Sequence, residues 1–206
     1  MRTYLDDVKL PDAHGDLNTA LSHARDRAAQ AGRIIVDVLL DGIRIDSDQF
    51  DDLAHADLTG CELRLVSAEP ARLVLEAWDG AREAIQGLSQ LHEQVAERID
   101  TGRIAEALEM LQEALDGWEQ VRRTVEDGCA LSGLDLDAVR ADNDDADRAI
   151  HDLAQRLRDV REAVRGGDWV ALGDSLRYDM EETASRWMGL LAELSARLRR
   201  RPEKAQ

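Results

Sequence analysis

Lysine is nearly missing from this chain: Lys9 and Lys204 stand alone among 26 basic residues, and every other cation is arginine. With abundant alanine and aspartate, that bias points to a GC-rich bacterial genome and not to a binding surface. Cysteine is equally scarce. Cys61 and Cys129 are the only two; they lie far apart and fit no C-x-x-C or zinc spacing, which excludes a disulfide framework and fits a reducing cytosol. Aromatic mass is concentrated in Trp78, Trp118, Trp169 and Trp187, beside one Phe and two Tyr. No run of about 18 apolar residues occurs, so no membrane-spanning helix is expected. The opening Met1-Arg2-Thr3-Tyr4-Leu5-Asp6-Asp7 shows no apolar stretch of the kind a secretory leader carries, and a cytoplasmic location is expected.

Positive charge is in deficit as well. Lys and Arg number 26 against 43 Asp and Glu, a formal net charge of −17. A nucleic-acid surface must displace counterions with clustered cations, and an anionic membrane demands the same, so neither partner is expected. Solubility through self-repulsion is the plain reading of the acidic balance, and a basic partner the sharper one.

Chemical signatures are also missing. There is no P-loop, no dinucleotide-binding glycine fingerprint and no nucleophile elbow. The acidic run at 142–147 lacks the Gly at position six and the Glu at position twelve that a calcium loop requires. A carboxylate-bridged metal pair in a helical bundle needs Glu-x-x-His on two helices. None of His14, His23, His55, His92 or His151 follows a Glu at that distance. No metal, cofactor or catalytic constellation is expected, and an enzyme is not.

What is present is helical periodicity. From Val74 the positions Val74, Trp78, Ala81, Ile85, Leu88, His92, Val95 and Ile99 alternate steps of four and three, the seam of a helix packed along its length. After Asp100-Thr101-Gly102 the pattern restarts as Ile104, Leu108, Leu111, Leu115, Trp118 and Val125, with Arg122 the one charged member. Each helix is roughly 40 Å long at 1.5 Å per residue, and so short a turn forces the two antiparallel. A second hairpin follows, with Ile150, Leu153, Leu157, Val160 and Val164 before Gly166-Gly167, and Trp169, Leu172, Leu176, Met180, Thr183, Trp187, Leu190 and Leu194 after it. An extra four-residue step near Leu176 is expected to relax the supercoil. Aligning Gly102 on Gly167 superposes Leu111 on Leu176 and Leu115 on Met180, a faint echo of duplication.

The front of the chain changes period. Residues up to about Gly15 carry little pattern and are expected to be loosely attached. Asp16 is set to cap a helix burying Leu17, Ala20, Leu21, Ala24 and Ala28, with Gly32 as its stop. Ile34, Val36, Val38 and Leu40 alternate as a strand, Asp41-Gly42 is a hairpin signal, and Ile43 and Ile45 begin the return. Ser47 is placed to cap a short helix turning Phe50 and Leu53 inward, and Leu63 and Leu65 mark the inner face of a last strand. The expected fold is therefore α+β. A small head domain (1–69: helix, β-hairpin, short helix, strand) precedes an antiparallel up-down four-helix bundle (70–206), made of hairpin 70–128, crossover linker 129–144 and hairpin 145–201. Surface pairs Glu119–Arg123, Asp152–Arg156 and Glu193–Arg197 place acid before base at helical spacing. The basic end Arg197, Arg199, Arg200 and Arg201 suits a helix C-terminus.

Four residues are the candidate ligand site: His92, Arg122, Trp118 and Trp187. His92 on the seam pairs with Arg122, His151 or Asp179 if it works as a ligand or proton carrier; as a packing residue it yields its place to Leu91. Arg122 yields to Val121 and snorkels outward. The tryptophans either wall a pocket or fill wide core layers with their N–H groups reaching water. The function expected is a non-enzymatic bacterial interaction protein, an adaptor, chaperone or scaffold subunit, binding a protein partner through the head or a helix groove. A bundle binding a small ligand or metal near His92 and the tryptophans is the alternative. A homodimer through Val170, Leu191 and Leu198, off the main seam, is a third expectation.

Overall fold

In the computed structural model, which describes residues 1–11, 17–46, 49–53 and 58–200, strand pairing begins at the second residue. The chain forms two units, Met1–Leu73 and Val74–Gln206. The first holds a five-stranded sheet. Strand β1 (Arg2–Leu5) turns into β2 (Val8–Lys9); helix α1 (Leu17–Gln30) follows; then come β3 (Ile34–Leu40), β4 (Ile43–Arg44), the single turn α2 (Phe50–Leu53) and β5 (Glu62–Ala68). The sheet order is β2-β1-β5-β3-β4. β1 runs parallel to β5, and every other pair is antiparallel.

The N-terminal strand corrects the expectation of a loose arm. β1 lies beside central β5, and Thr3, Leu5 and Leu10 are buried. The β1–β2 turn contains no glycine, so the residues carry no hairpin signal there. Asp6 and Asp7 both take positive φ, 48° and 65°, which aspartate tolerates better than most residues. Asp6 then accepts hydrogen bonds from the backbone N–H and the hydroxyl of Ser67, which fixes the turn to β5. Asp41-Gly42 has φ of 49° and 82°, and Leu40 pairs Ile43 as predicted.

Strand β3 departs from strict alternation. Ile35 faces Ser67 and Asp37 faces Val66, so Val36 is an inserted bulge residue. The bulge turns Val36 outward, 39% exposed, and puts Ile35, Val38 and Leu40 on the core side. α1 buries the five residues its periodicity picked out, Leu17, Ala20, Leu21, Ala24 and Ala28, against Val38, Leu63 and Leu65. Phe50 and Leu53 join that cluster. The capping roles expected for Asp16 and Ser47, and the histidines His14 and His55, lie outside the described residues, as does Arg201.

The second unit is helical: α3 (Pro70–Asp100), α4 (Ile104–Ser132), α5 (Leu136–Asp142), α6 (Asp144–Gly166), α7 (Trp169–Asp174), a π-helical turn (Ser175–Asp179) and α8 (Met180–Arg200). Gly102 and Gly167 end α3 and α6 with φ of 73° and 67°, and in each case the next amide N–H reaches back to the fifth carbonyl before it. The seam of α3 is buried at all eight predicted positions. Contacts Arg98–Glu106, Leu88–Gly117 and Trp78–Thr124 run α3 and α4 antiparallel. Arg82–Ser195 and Glu93–Arg177 do the same for α3 against α8 and the π-helical turn that leads into it. Trp187–Ala149 and Arg186–Asp152 align α8 against α6. One hydrophobic cluster draws on all of these helices.

Three expectations are corrected here. The linker at 129–144 is largely helix. Cys129 is buried at the end of α4, Asp135 caps α5 by accepting from the amides of Asp137 and Ala138, and Val139 is buried. Gly128, the expected end of the first hairpin, lies inside α4 against Trp78, where a Cβ would sit 2.5 Å from the indole Nε1. The extra step near Leu176 is absorbed by the π-helical turn at Ser175–Asp179, because one added residue in a seam is accommodated by one wider turn.

Of the surface pairs, Glu119–Arg123 and Glu193–Arg197 form. Asp152 instead takes Arg186 of α8, and Arg156 pairs with Asp159 and Asp179. Leu191 and Leu198 are buried in the helical core, which leaves Val170, 75% exposed, as the only surface member of the expected dimer patch.

Candidate functional site

Helix α4 buries only part of the stripe its large residues predict. Leu111, Trp118 and Val125 of that stripe face inward, but between them Ala107, Ala114 and Val121 take the inner places expected for Leu108, Leu115 and Arg122, and Gly128 continues the seam. Small residues on and beside that stripe let α4 approach α3 closely: a Cβ on Gly117 would lie 2.6 Å from Leu88. The neighbouring stripe is left half outside, with Leu108 36% exposed and Ile104 and Leu115 partly buried. Helix α6 repeats the arrangement. Ala146, Ala149, Leu153 and Val160 are buried, whereas Ile150, Leu157 and Val164 are only partly covered.

These two half-covered stripes wall one trough of about 940 Å³. Leu108 and Leu115 of α4, with the buried Val125 at one end, line it on one side, and Ile150, Leu157 and Val164 of α6 on the other. Trp118 and Trp187 lie at its floor, and Glu119, Arg122, Glu126, Arg161 and Arg165 stand among its lining residues. Its volume is at the upper end of the roughly 300–1,000 Å³ typical of ligand pockets. Among the described residues its lining holds no His, Cys, Ser or Asp.

Under the floor lies the buried polar pair of the unit. His92 is 2% exposed, and its Nε2 accepts the indole N–H of Trp118 at 3.2 Å. Because an indole only donates, Nε2 is the unprotonated nitrogen and Nδ1 carries the proton. The two rings are nearly parallel, 9° apart, and Trp118 meets Trp187 edge-on at 6.0 Å between centroids. Burial pushes His92 down to about 4, so the imidazole is neutral at physiological pH.

Three of the four predicted site residues thus line the trough, and His92 supports one of them from beneath. The partners expected for His92 do not meet it. Arg122 is held by Glu119 and Glu126, Asp179 pairs with Arg156, and His151 is exposed. Leu91 does not displace His92 from the seam; it is only partly buried. Val121 does displace Arg122, whose side chain is 41% exposed. The hydrogen bonds from Arg122 and then Arg123 hold the Glu119 carboxyl down to about 2, although burial opposes them. Three of the tryptophan N–H groups go to protein acceptors and not to water: that of Trp118 to His92, and those of Trp78 and Trp187 to the carbonyls of Thr124 and Ala149. Among the described residues no group of three or more His, Cys, Asp or Glu is placed to hold a metal ion, and no helix is long and apolar enough to cross a membrane.

Sequence reasoning missed the trough itself. Its signal was present: α4 and α6 each carry two adjacent apolar stripes, the inner one interrupted by alanines, where a single contact needs one.

The molecule is thus an α+β protein whose helical unit carries an open apolar trough. A family model described as a domain of unknown function (DUF8042) matches residues 76–190, more than half of the chain, and the chain belongs to that family. The matched span includes every residue lining the trough. No curated protein and no solved structure matches the chain.

Proposed function

We propose that this chain is a non-enzymatic interaction protein, a bacterial adaptor, chaperone or scaffold subunit working in the cytoplasm, and that the α4–α6 trough receives a segment of its protein partner. In this reading α3, α4, α6 and α8 form an antiparallel up-down four-helix bundle. Three sides of it are closed by the α3–α4, α3–α8 and α8–α6 contacts, and the fourth side is the trough. The observation that carries the proposal is the pair of half-covered leucine and valine stripes facing each other across about 940 Å³. A cleft of this volume with mostly apolar walls and a few charged residues at its edge has the character of a binding site. The net charge of −17 supports a protein partner over nucleic acid.

The test is site-specific photocrosslinking in the producing cell. A photoreactive residue at Leu108 or Leu157, in the trough, is expected to give a discrete protein adduct, and one at exposed Glu181 of α8 is not. The opposite outcome is no trough-specific adduct together with a small molecule that copurifies with the folded chain and quenches its tryptophans. That result replaces the proposal with the small-ligand reading, which the indole floor would then serve.

A further inference from the structure

The walls and rim of the trough specify the shape and charge of what fills it, given that it is a protein-docking site as proposed above. On α4 the wall runs from Leu108 to Val125, and on α6 from Ile150 to Val164. At 1.5 Å per residue these spans are roughly 26 Å and 21 Å. Both walls step by three and four residues, so their ridges leave holes at the spacing of a third helix's own apolar stripe. An acyl chain of that length would fit the volume but would make no use of the repeat.

The two rims differ in charge. Arg122 on α4 is held by Glu119 and Glu126, and Arg123 also binds Glu119, so that edge is compensated within itself. On α6, Arg161 and Arg165 are exposed, one helical turn apart, and neither has an ion pair or hydrogen bond among the described residues. Most other arginines of this acidic unit are paired. We infer that the occupant is an amphipathic helix of a partner protein, about four turns long, with its apolar stripe down in the trough and carboxylates one turn apart on the flank facing Arg161 and Arg165. The overall charge of −17 repels an acidic helix at a distance. At contact the two unpaired arginines dominate, because charges beyond about 8 Å are screened at physiological salt.

The probes are two synthetic peptides of about 18 residues with the same apolar heptad stripe, one with Glu and one with Lys along both flanks; both flanks are used so that the direction of entry does not matter. Binding to the full chain is read by fluorescence anisotropy, with circular dichroism to verify that each variant is folded. The Glu peptide is expected to bind roughly tenfold tighter than the Lys peptide. The double variant Arg161→Glu/Arg165→Glu is expected to reverse that order, and Leu157→Glu to abolish binding of both. Equal affinities, or a tighter Lys peptide on the unaltered chain, overturn the inferred charge. The docking proposal then still stands if the trough crosslinks to protein. If neither peptide binds while oleate quenches the tryptophans, the helical occupant is overturned outright.

Discussion

The indole N–H of Trp118 donates to Nε2 of His92 beneath the trough floor, and this bond requires the imidazole to be neutral. Burial has lowered the His92 pKa to about 4 from 6.5. Between those values the unfolded chain binds the proton more readily than the folded one, so stability falls as pH drops through that window and levels off below it. From about pH 7.5 to about pH 5 the loss from this group is roughly 2 kcal/mol. Urea unfolding at several pH values is expected to show it. His92→Leu is expected to be less stable at neutral pH, since the Trp118 N–H loses its acceptor, but with a flatter pH profile. An unchanged slope in that variant would falsify the assignment.

Two glycines inside long helices should respond in opposite ways to the same substitution. Gly128→Ala puts a methyl 2.5 Å from Nε1 and 2.9 Å from Cε2 of Trp78, an indole held by its bond to Thr124. Overpacking of this kind costs about 1–3 kcal/mol, more than the gain in helix propensity of up to about 1 kcal/mol. Gly87→Ala in α3 meets nothing within 4 Å and is expected to stabilise by about 0.5–1 kcal/mol. Thermal melts of the two variants separate the cases; a stabilised Gly128→Ala contradicts the close approach of α4 to Trp78.

The two cysteines give each unit its own reporter. Cys129 is buried in the helical unit and its thiol is pushed up to about 11 by burial, whereas Cys61 in the sheet unit is half-buried. A thiol reagent near neutral pH is expected to label Cys61 readily in the native protein. Cys129 should be labelled only as the helical unit opens, at a rate that rises with urea. Comparable native labelling of both would mean that the end of α4 is not packed as described.

The trough can be told from the core by paired truncations. Leu153 is buried and Leu108 is 36% exposed, though both line the trough. Leu153→Ala is expected to cost about 2–5 kcal/mol and Leu108→Ala less than about 1 kcal/mol. Equal losses would show that the α4–α6 side is closed in solution.

Much of this was legible in the residues. The α3 seam from Val74 to Ile99, the α1 face, the Asp41-Gly42 turn and the inner face of β5 were all readable, because each is set by local periodicity or by the φ a residue tolerates. Trp118, Trp187 and Arg122 were picked out and do line the trough. The β1–β2 hairpin was not legible, since Asp6-Asp7 lacks the glycine that advertises such a turn. Helix α5 was hidden because Leu136 and Val139 are too few to show a period.

By itself the sequence determined where helices and strands form and which broad arc of each is apolar, since those follow from the 3.6- and 2-residue repeats. Only the tertiary structure decided how far α4 and α6 rotate about their own axes. That rotation depends on how closely a neighbour can approach, and Gly128 on the inner stripe and Gly117 beside it let α4 lie against Trp78 and Leu88. The larger leucines and valines beside them were thereby left as the walls of a trough and not as the core.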